Sequence, residues 1–167
     1  QKLPSLSQVT IPSNVESIGF NTFYYSGLKN IDLQSGLKVI GSGAFEGTLV
    51  DSIYIPSTVD SIASAAFRSC DSLKVISYNA SNTVSTYSTS PFAKCAKVEK
   101  LIIGENVSMI QKNLFRDFPN LKTIVIPGNV KSIGNYSFYN DGLESVKICE
   151  GVETIGESVF LNNANLT

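Results

Sequence analysis

Residues 53–67 read IYIPSTVDSIASAAF, and residues 124–138 read IVIPGNVKSIGNYSF. Both carry an apolar run, then proline, then two spaced apolar residues, then a closing phenylalanine at the same offset. The same frame recurs in IPSNVESIGFNTF at residues 11–23 and in VKICEGVETIGESVF at residues 146–160. A phrase that returns at fixed spacing is read first as a structural repeat.

The first apolar residue of each unit is Leu6, Leu28, Val50, Leu73, Val98, Leu121 and Leu143, with Leu166 opening an eighth. Successive steps are 22, 22, 23, 25, 23, 22 and 23 residues. Three places on stand Val9, Ile31, Ile53, Ile76, Leu101, Ile124 and Val146; five places on stand Ile11, Leu33, Ile55, Tyr78, Ile103, Ile126 and Ile148. Two further columns are Val15, Leu37, Val59, Val84, Val107, Val130, Val152 and Ile18, Ile40, Ile62, Tyr87, Ile110, Ile133, Ile155. The last column is phenylalanine throughout: Phe23, Phe45, Phe67, Phe92, Phe115, Phe138 and Phe160. All these columns are apolar in a chain that is 43% hydrophobic, which random placement does not produce.

The spacing predicts a solenoid in which each unit forms one coil and equivalent side chains stack, since one unit cannot bury its apolar face alone. The L-x-x-I-x-I segment ends in period two with β-branched residues and is expected to be a short strand. Proline at Pro12, Pro56 and Pro127 fixes φ, lacks an N–H and should end that strand. The V-x-x-I segment should form a second short extended piece, with Gly19, Gly41, Gly134 and Gly156 supplying a positive-φ turn. The piece around the phenylalanine has room for one helical or 3-10 turn. The fourth unit holds extra residues near SYNASNT, where a bulged loop is expected. Residues 1–167 therefore form a single array of about seven units, expected to be a segment of a longer array.

Composition narrows function. There are 13 basic and 14 acidic residues, a net charge of −1, so nothing marks the chain for nucleic acid or an anionic membrane. No apolar run approaches the roughly 18–20 residues that span a bilayer. Histidine is absent, which removes the commonest general base and metal ligand. Cys70, Cys95 and Cys149 form no CxxC pair, so neither a metal nor a cofactor is called for.

The unit L-x-x-I-x-I-P-x-x-V-x-x-I-G-x-x-A-F resembles the repeat of the BspA-like (Treponema-pallidum-type) leucine-rich-repeat family, from Leu6 to Phe160. The resemblance implies a right-handed leucine-rich-repeat superhelix with a concave parallel β-sheet and short extended segments and turns on the convex side. It also implies a secreted or cell-surface, non-enzymatic protein. Several members of the family adhere to host matrix proteins such as fibronectin or fibrinogen, or to other cells. The family's cysteine three places after the phenylalanine is present as Cys70 and Cys95. A disulfide between them is open at that separation; reduced, packed thiols are the favoured expectation.

On the strands, residues between the ladder columns should point outward. One outward column is Gln8, Asn30, Ser52, Val75, Lys100, Thr123, Ser145; the other is Thr10, Asp32, Tyr54, Ser77, Ile102, Val125, Lys147. Most are polar, but Tyr54, Val75, Ile102 and Val125 form an apolar stripe, the candidate surface for a protein partner such as a host matrix or cell-surface protein. The competing reading is that β-branched residues simply suit a strand. Beyond the second extended segment, Glu16, Lys38, Asp60, Ser85, Ser108, Lys131 and Glu153 suggest a register-setting ion-pair ladder. Tyr24, Tyr25, Phe118 and Tyr139 are candidates for an edge patch or for loop packing. Four N-x-S/T sequons occur, at Asn79, Asn106, Asn135 and Asn165, close to what the Asn, Ser and Thr content gives by chance; in a source that glycosylates its secreted proteins, Asn79 on the expected bulged loop is the favoured acceptor.

Two other functional classes compete with the binding module. A structural spacer for other domains of a surface protein needs only the stack. A carbohydrate-cleaving parallel β-helix enzyme would need clustered carboxylates on one sheet, yet Asp32 has no second carboxylate in the outward columns nearby.

Overall fold

A computed structural model describes residues 4–81 and 89–167. The chain winds through short strands numbered in order: β1 (Gln8–Ile11), β2 (Ser17–Ile18), β3 (Asn30–Leu33), β4 (Val39–Ile40), β5 (Ser52–Ile55), β6 (Ser61–Ile62), β7 (Val75–Tyr78), β8 (Lys100–Ile103), β9 (Met109–Ile110), β10 (Thr123–Ile126), β11 (Ser132–Ile133), β12 (Ser145–Ile148) and β13 (Thr154–Ile155). Each four-residue strand falls on the L-x-x-I-x-I segment, and each two-residue strand on V-x-x-I. All pairings are parallel between successive coils: β1 with β3, β5 with β7 with β8, and β10 with β12 on one side. On the second side β2, β4 and β6 form one ladder, and β9, β11 and β13 another. Register matches the columns: Ile53 opposes Ile76, which opposes Leu101, and Ile124 opposes Val146.

Proline acts as its chemistry requires. Pro12, Pro56 and Pro127 follow directly on β1, β5 and β10, and their carbonyls accept the N–H of Val15 (3.0 Å), Val59 (3.2 Å) and Val130 (3.1 Å). The strand is thereby closed by a turn that delivers the next apolar residue to the core.

The phenylalanines stack in one column. Ring centroids are 5.3 Å apart for Phe23–Phe45, 5.1 Å for Phe45–Phe67, 5.3 Å for Phe67–Phe92 and 6.2 Å for Phe92–Phe115. The column continues through Phe138 to Phe160 at 5.9 and 5.7 Å. From Phe45 to Phe138 every ring is fully buried. The remaining columns form the rest of a single core along the axis. Val84 and Tyr87, which belong to two of the columns, lie outside the described residues, as does Ser85 of the charged column.

Two local expectations are corrected. Among the described residues the segment around each phenylalanine is not helical; its bonds to the residue three places back, such as Ser26 N to Phe23 O, are isolated turns. Instead, left-handed residues recur two places before and two places after the ring: Asn21 and Tyr25, Gly43 and Gly47, Ala65 and Ser69, Asn113 and Asp117, Tyr136 and Asn140, Ser158 and Asn162. A left-handed residue at such short intervals interrupts a helix. It also turns alternate N–H groups toward the next coil: Phe23 N donates to Ala44 O at 2.8 Å, Tyr25 N to Glu46 O at 2.7 Å and Phe45 N to Ala66 O at 2.8 Å. The turns thus make a third inter-coil ladder, which a helix would have consumed internally.

The second correction concerns glycine. Gly19, Gly41, Gly134 and Gly156 are not among the residues with positive φ. Their reason is proximity. A Cβ on Gly41 would come within 2.8 Å of the Gly19 carbonyl carbon, and one on Gly134 within 2.6 Å of Lys112 N. Gly19, in the first coil, would meet nothing nearer than Thr22 Oγ1 at 3.7 Å.

Ion pairs form where the charged column alternates, with Lys38 Nζ 2.9 Å from Glu16 Oε1 and Lys131 Nζ 3.5 Å from Glu153 Oε1. A further pair joins Lys122 and Glu144 at 3.2 Å. These pairs are exposed, so water and salt screen them and they add little to stability.

Candidate protein-binding face

The outward columns of the four-residue strands carry the candidate stripe. Strand alternation sends Ile53 and Ile55 into the core and leaves Tyr54 between them outside. Tyr54, Ile102 and Val125 are 53%, 43% and 53% exposed, so the sheet shows water large apolar surfaces it has not buried. Val75 is half-buried and belongs to the other outward column, in register with Ser52 and Lys100. Tyr54 faces Ser77, which in turn faces Ile102.

That register gives the surface relief. Between Tyr54 and Ile102 the small Ser77 leaves a cleft of about 200 Å³, lined also by Tyr78, Asn79, Gly104 and Glu105. A second depression, of about 330 Å³, joins Ile102 to Val125, with Lys100 and Thr123 on its edge. A third, of about 290 Å³, joins Tyr54 to Val75 over Ile31, Ser52 and Ile53. All four stripe residues therefore border adjoining depressions, with shared lining residues, on one side of the coil.

Two lining residues were not singled out as binding residues in the sequence. Asn79 Oδ1 accepts from Asn106 N and Asn106 Nδ2, both at 3.2 Å, and Asn79 Nδ2 donates to Tyr54 Oη at 3.4 Å. The amide of this sequon is thus engaged in the cleft wall, where a glycan on its nitrogen would replace the Tyr54 contact. Glu105 could have been found by column: the equivalent place holds Ser13, Ser35, Ser57 and Gly128 in other units, with Glu150 in the last.

The column three places after the phenylalanine is a buried polar ladder, not a site. It reads Ser26, Thr48, Cys70, Cys95, Phe118, Asp141, Asn163, all buried. Cys70 Sγ donates to Phe45 O at 3.2 Å, Cys95 Sγ to Phe67 O at 3.1 Å and Asn163 Nδ2 to Phe138 O at 2.8 Å. Side chains of one coil thus satisfy the phenylalanine carbonyl of the coil before. Both cysteines are free thiols, and Cys95 is pushed up by its hydrogen bond with Cys70 and by burial, away from reactive thiolate character. Asp141 differs from the donors of this column: Oδ1 accepts from Phe118 N at 2.7 Å, Oδ2, like Ser26 Oγ, has no partner, and burial above all raises its pKa to about 8. Phe118 is buried in the core, in keeping with the packing alternative and not with an edge patch, while Tyr139 lies beneath the Arg116 guanidinium at 4.6 Å.

Comparison with known proteins agrees with this geometry. No curated protein matches the chain. Among solved structures, a leucine-rich repeat protein from Bacteroides ovatus ATCC 8483 aligns over 98% of this chain and 49% of its own, with 26% identity and a TM-score of 0.59. The pneumococcal vaccine antigen PcpA aligns over 96% of this chain and 49% of its own, at 22% identity and a TM-score of 0.50, a likeness of fold. The chain spans about half the length of either structure. The BspA type leucine-rich repeat region, in six copies, matches residues 1–117 and 44–167. With its period, stacked phenylalanines and parallel ladders, the chain belongs to the BspA-type leucine-rich-repeat family.

Proposed function

We propose that the chain is a non-enzymatic protein-interaction module of a secreted or cell-surface protein, adhering to matrix or neighbouring-cell proteins through the outward face of its four-residue strands. The observation that carries this reading is the exposed Tyr54, Ile102 and Val125 set around adjoining depressions that share lining residues. Large apolar side chains held rigid on a sheet bury area on a partner at little conformational cost. Among the described residues no group of acidic, cysteine or histidine side chains could hold a metal ion, and no helix is long and apolar enough to cross a membrane.

Immobilised fibronectin and fibrinogen are the probes for the adhesive reading. Saturable binding by the wild-type chain, lost in a folded Tyr54→Asp/Ile102→Asp variant, is the expected result. Wild-type binding retained by the folded double variant would contradict the proposed face. A folded wild-type chain that bound neither protein would contradict adhesion to these matrix proteins.

A further inference from the structure

We propose that the cleft between Tyr54 and Ile102 selects a lysine or arginine side chain of the partner; this rests on the sheet being the docking face. The cleft has apolar walls, the Tyr54 ring on one side and Ile102 on the other, and Ser77 between them. Among its lining residues Glu105 alone is charged, and it is exposed at the end of the strand. Lysine and arginine match that combination, since each joins an apolar stem to a cationic head. The stem lies along Ile102 and the tyrosine ring, which also attracts a cation over its face. The head meets the Glu105 carboxylate. A partner carboxylate would be repelled there, and a purely apolar side chain would leave Glu105 without a counter-charge.

The local frame holds this cleft ready. Asn79 is fixed by Asn106 and reaches the Tyr54 hydroxyl, so the wall does not need to order on binding. Gly104 is required by it, because a Cβ at that position would collide with Asn79 Oδ1. Lys100, the nearest cation along β8, borders the depression toward Val125 and not this cleft. Lys147 is in the same outward column but two coils beyond Ile102, and Asp32, on the other flank of Tyr54, adds negative charge.

Selection of short random peptides on the immobilised 167-residue chain tests the assignment. Peptides selected on the wild type should be enriched in lysine or arginine beside apolar residues and should weaken as salt is raised. Their affinity should fall by about tenfold on Glu105→Lys, and less on Glu105→Gln, with both variants folded because Glu105 is exposed. Selection repeated on Glu105→Lys should favour acidic peptides. Peptides that lose binding to Tyr54→Asp/Ile102→Asp but show no basic enrichment, or ignore Glu105→Lys, would overturn this inference and leave the docking face intact. Peptides indifferent to both variants, or none at all, would overturn both.

Discussion

Asp141 shows most plainly what one residue does in a stacked column. Thr48, Cys70, Cys95 and Asn163 of its column donate to a carbonyl, whereas Asp141 Oδ1 accepts the Phe118 N–H and Oδ2 has no partner. Burial outweighs the opposing hydrogen bond from Phe118 N, favours the neutral acid and moves the pKa to about 8. The folded value exceeds the unfolded one, so the fold holds a proton that the unfolded chain releases at lower pH. The stability this proton provides is full below about pH 4, declines as pH rises and is lost through about pH 8, at a slope on the order of 1 kcal/mol per pH unit. Urea midpoints measured from pH 5 to 9 should fall for the wild type. They should fall far less for Asp141→Asn, whose amide Asn163 already shows the column can accommodate. Equal pH dependence in the two proteins would contradict the assignment of the proton to Asp141.

At the scale of the repeated element, the phenylalanine ladder carries the packing. Phe67 and Phe115 each have rings above and below and are fully buried, while Phe160 has one ring neighbour and is half-buried. Removing a buried ring costs roughly 3–5 kcal/mol. Phe67→Ala and Phe115→Ala should therefore lower the melting temperature clearly more than Phe160→Ala, and equal losses in thermal denaturation would contradict a stack. The strands, prolines and ring column were legible in sequence because their chemistry admits few residue types. The left-handed positions were not, since Tyr25, Ser69, Lys94, Asp117 and Asn140 share a backbone geometry and no side-chain type. The same reason hid the polar ladder. Ser26, Thr48, Cys70, Asp141 and Asn163 look unrelated until burial shows that they share a place. Glycine was visible but misassigned, because close approach between coils is a fact of stacking and not of the local chain.

Across the whole molecule, each coil supplies half of its neighbour's core. The terminal coil shows the converse: Ile148 and Ile155 belong to inward columns yet are 39% and 52% exposed, where their equivalents Ile126 and Ile133 are buried. The candidate face follows from the same geometry. Alternation on the strands made Tyr54, Ile102 and Val125 outward by necessity, so their exposure could be read from the sequence. The relief between them could not, because it depends on Ser77 facing both Tyr54 and Ile102 across two strand pairings, and on Asn79 folding back to the tyrosine hydroxyl.

Stacking of equivalent rings is the claim on which the fold and the face both rest. Nuclear Overhauser spectroscopy on a chain with labelled phenylalanine rings reports it directly. Contacts should run Phe23 to Phe45 to Phe67 to Phe92 and on to Phe160, each joining rings 22 to 25 residues apart and about 5–6 Å between centroids. Rings that show contacts only to residues near them in sequence, with no ring-to-ring contact between consecutive units, would contradict it.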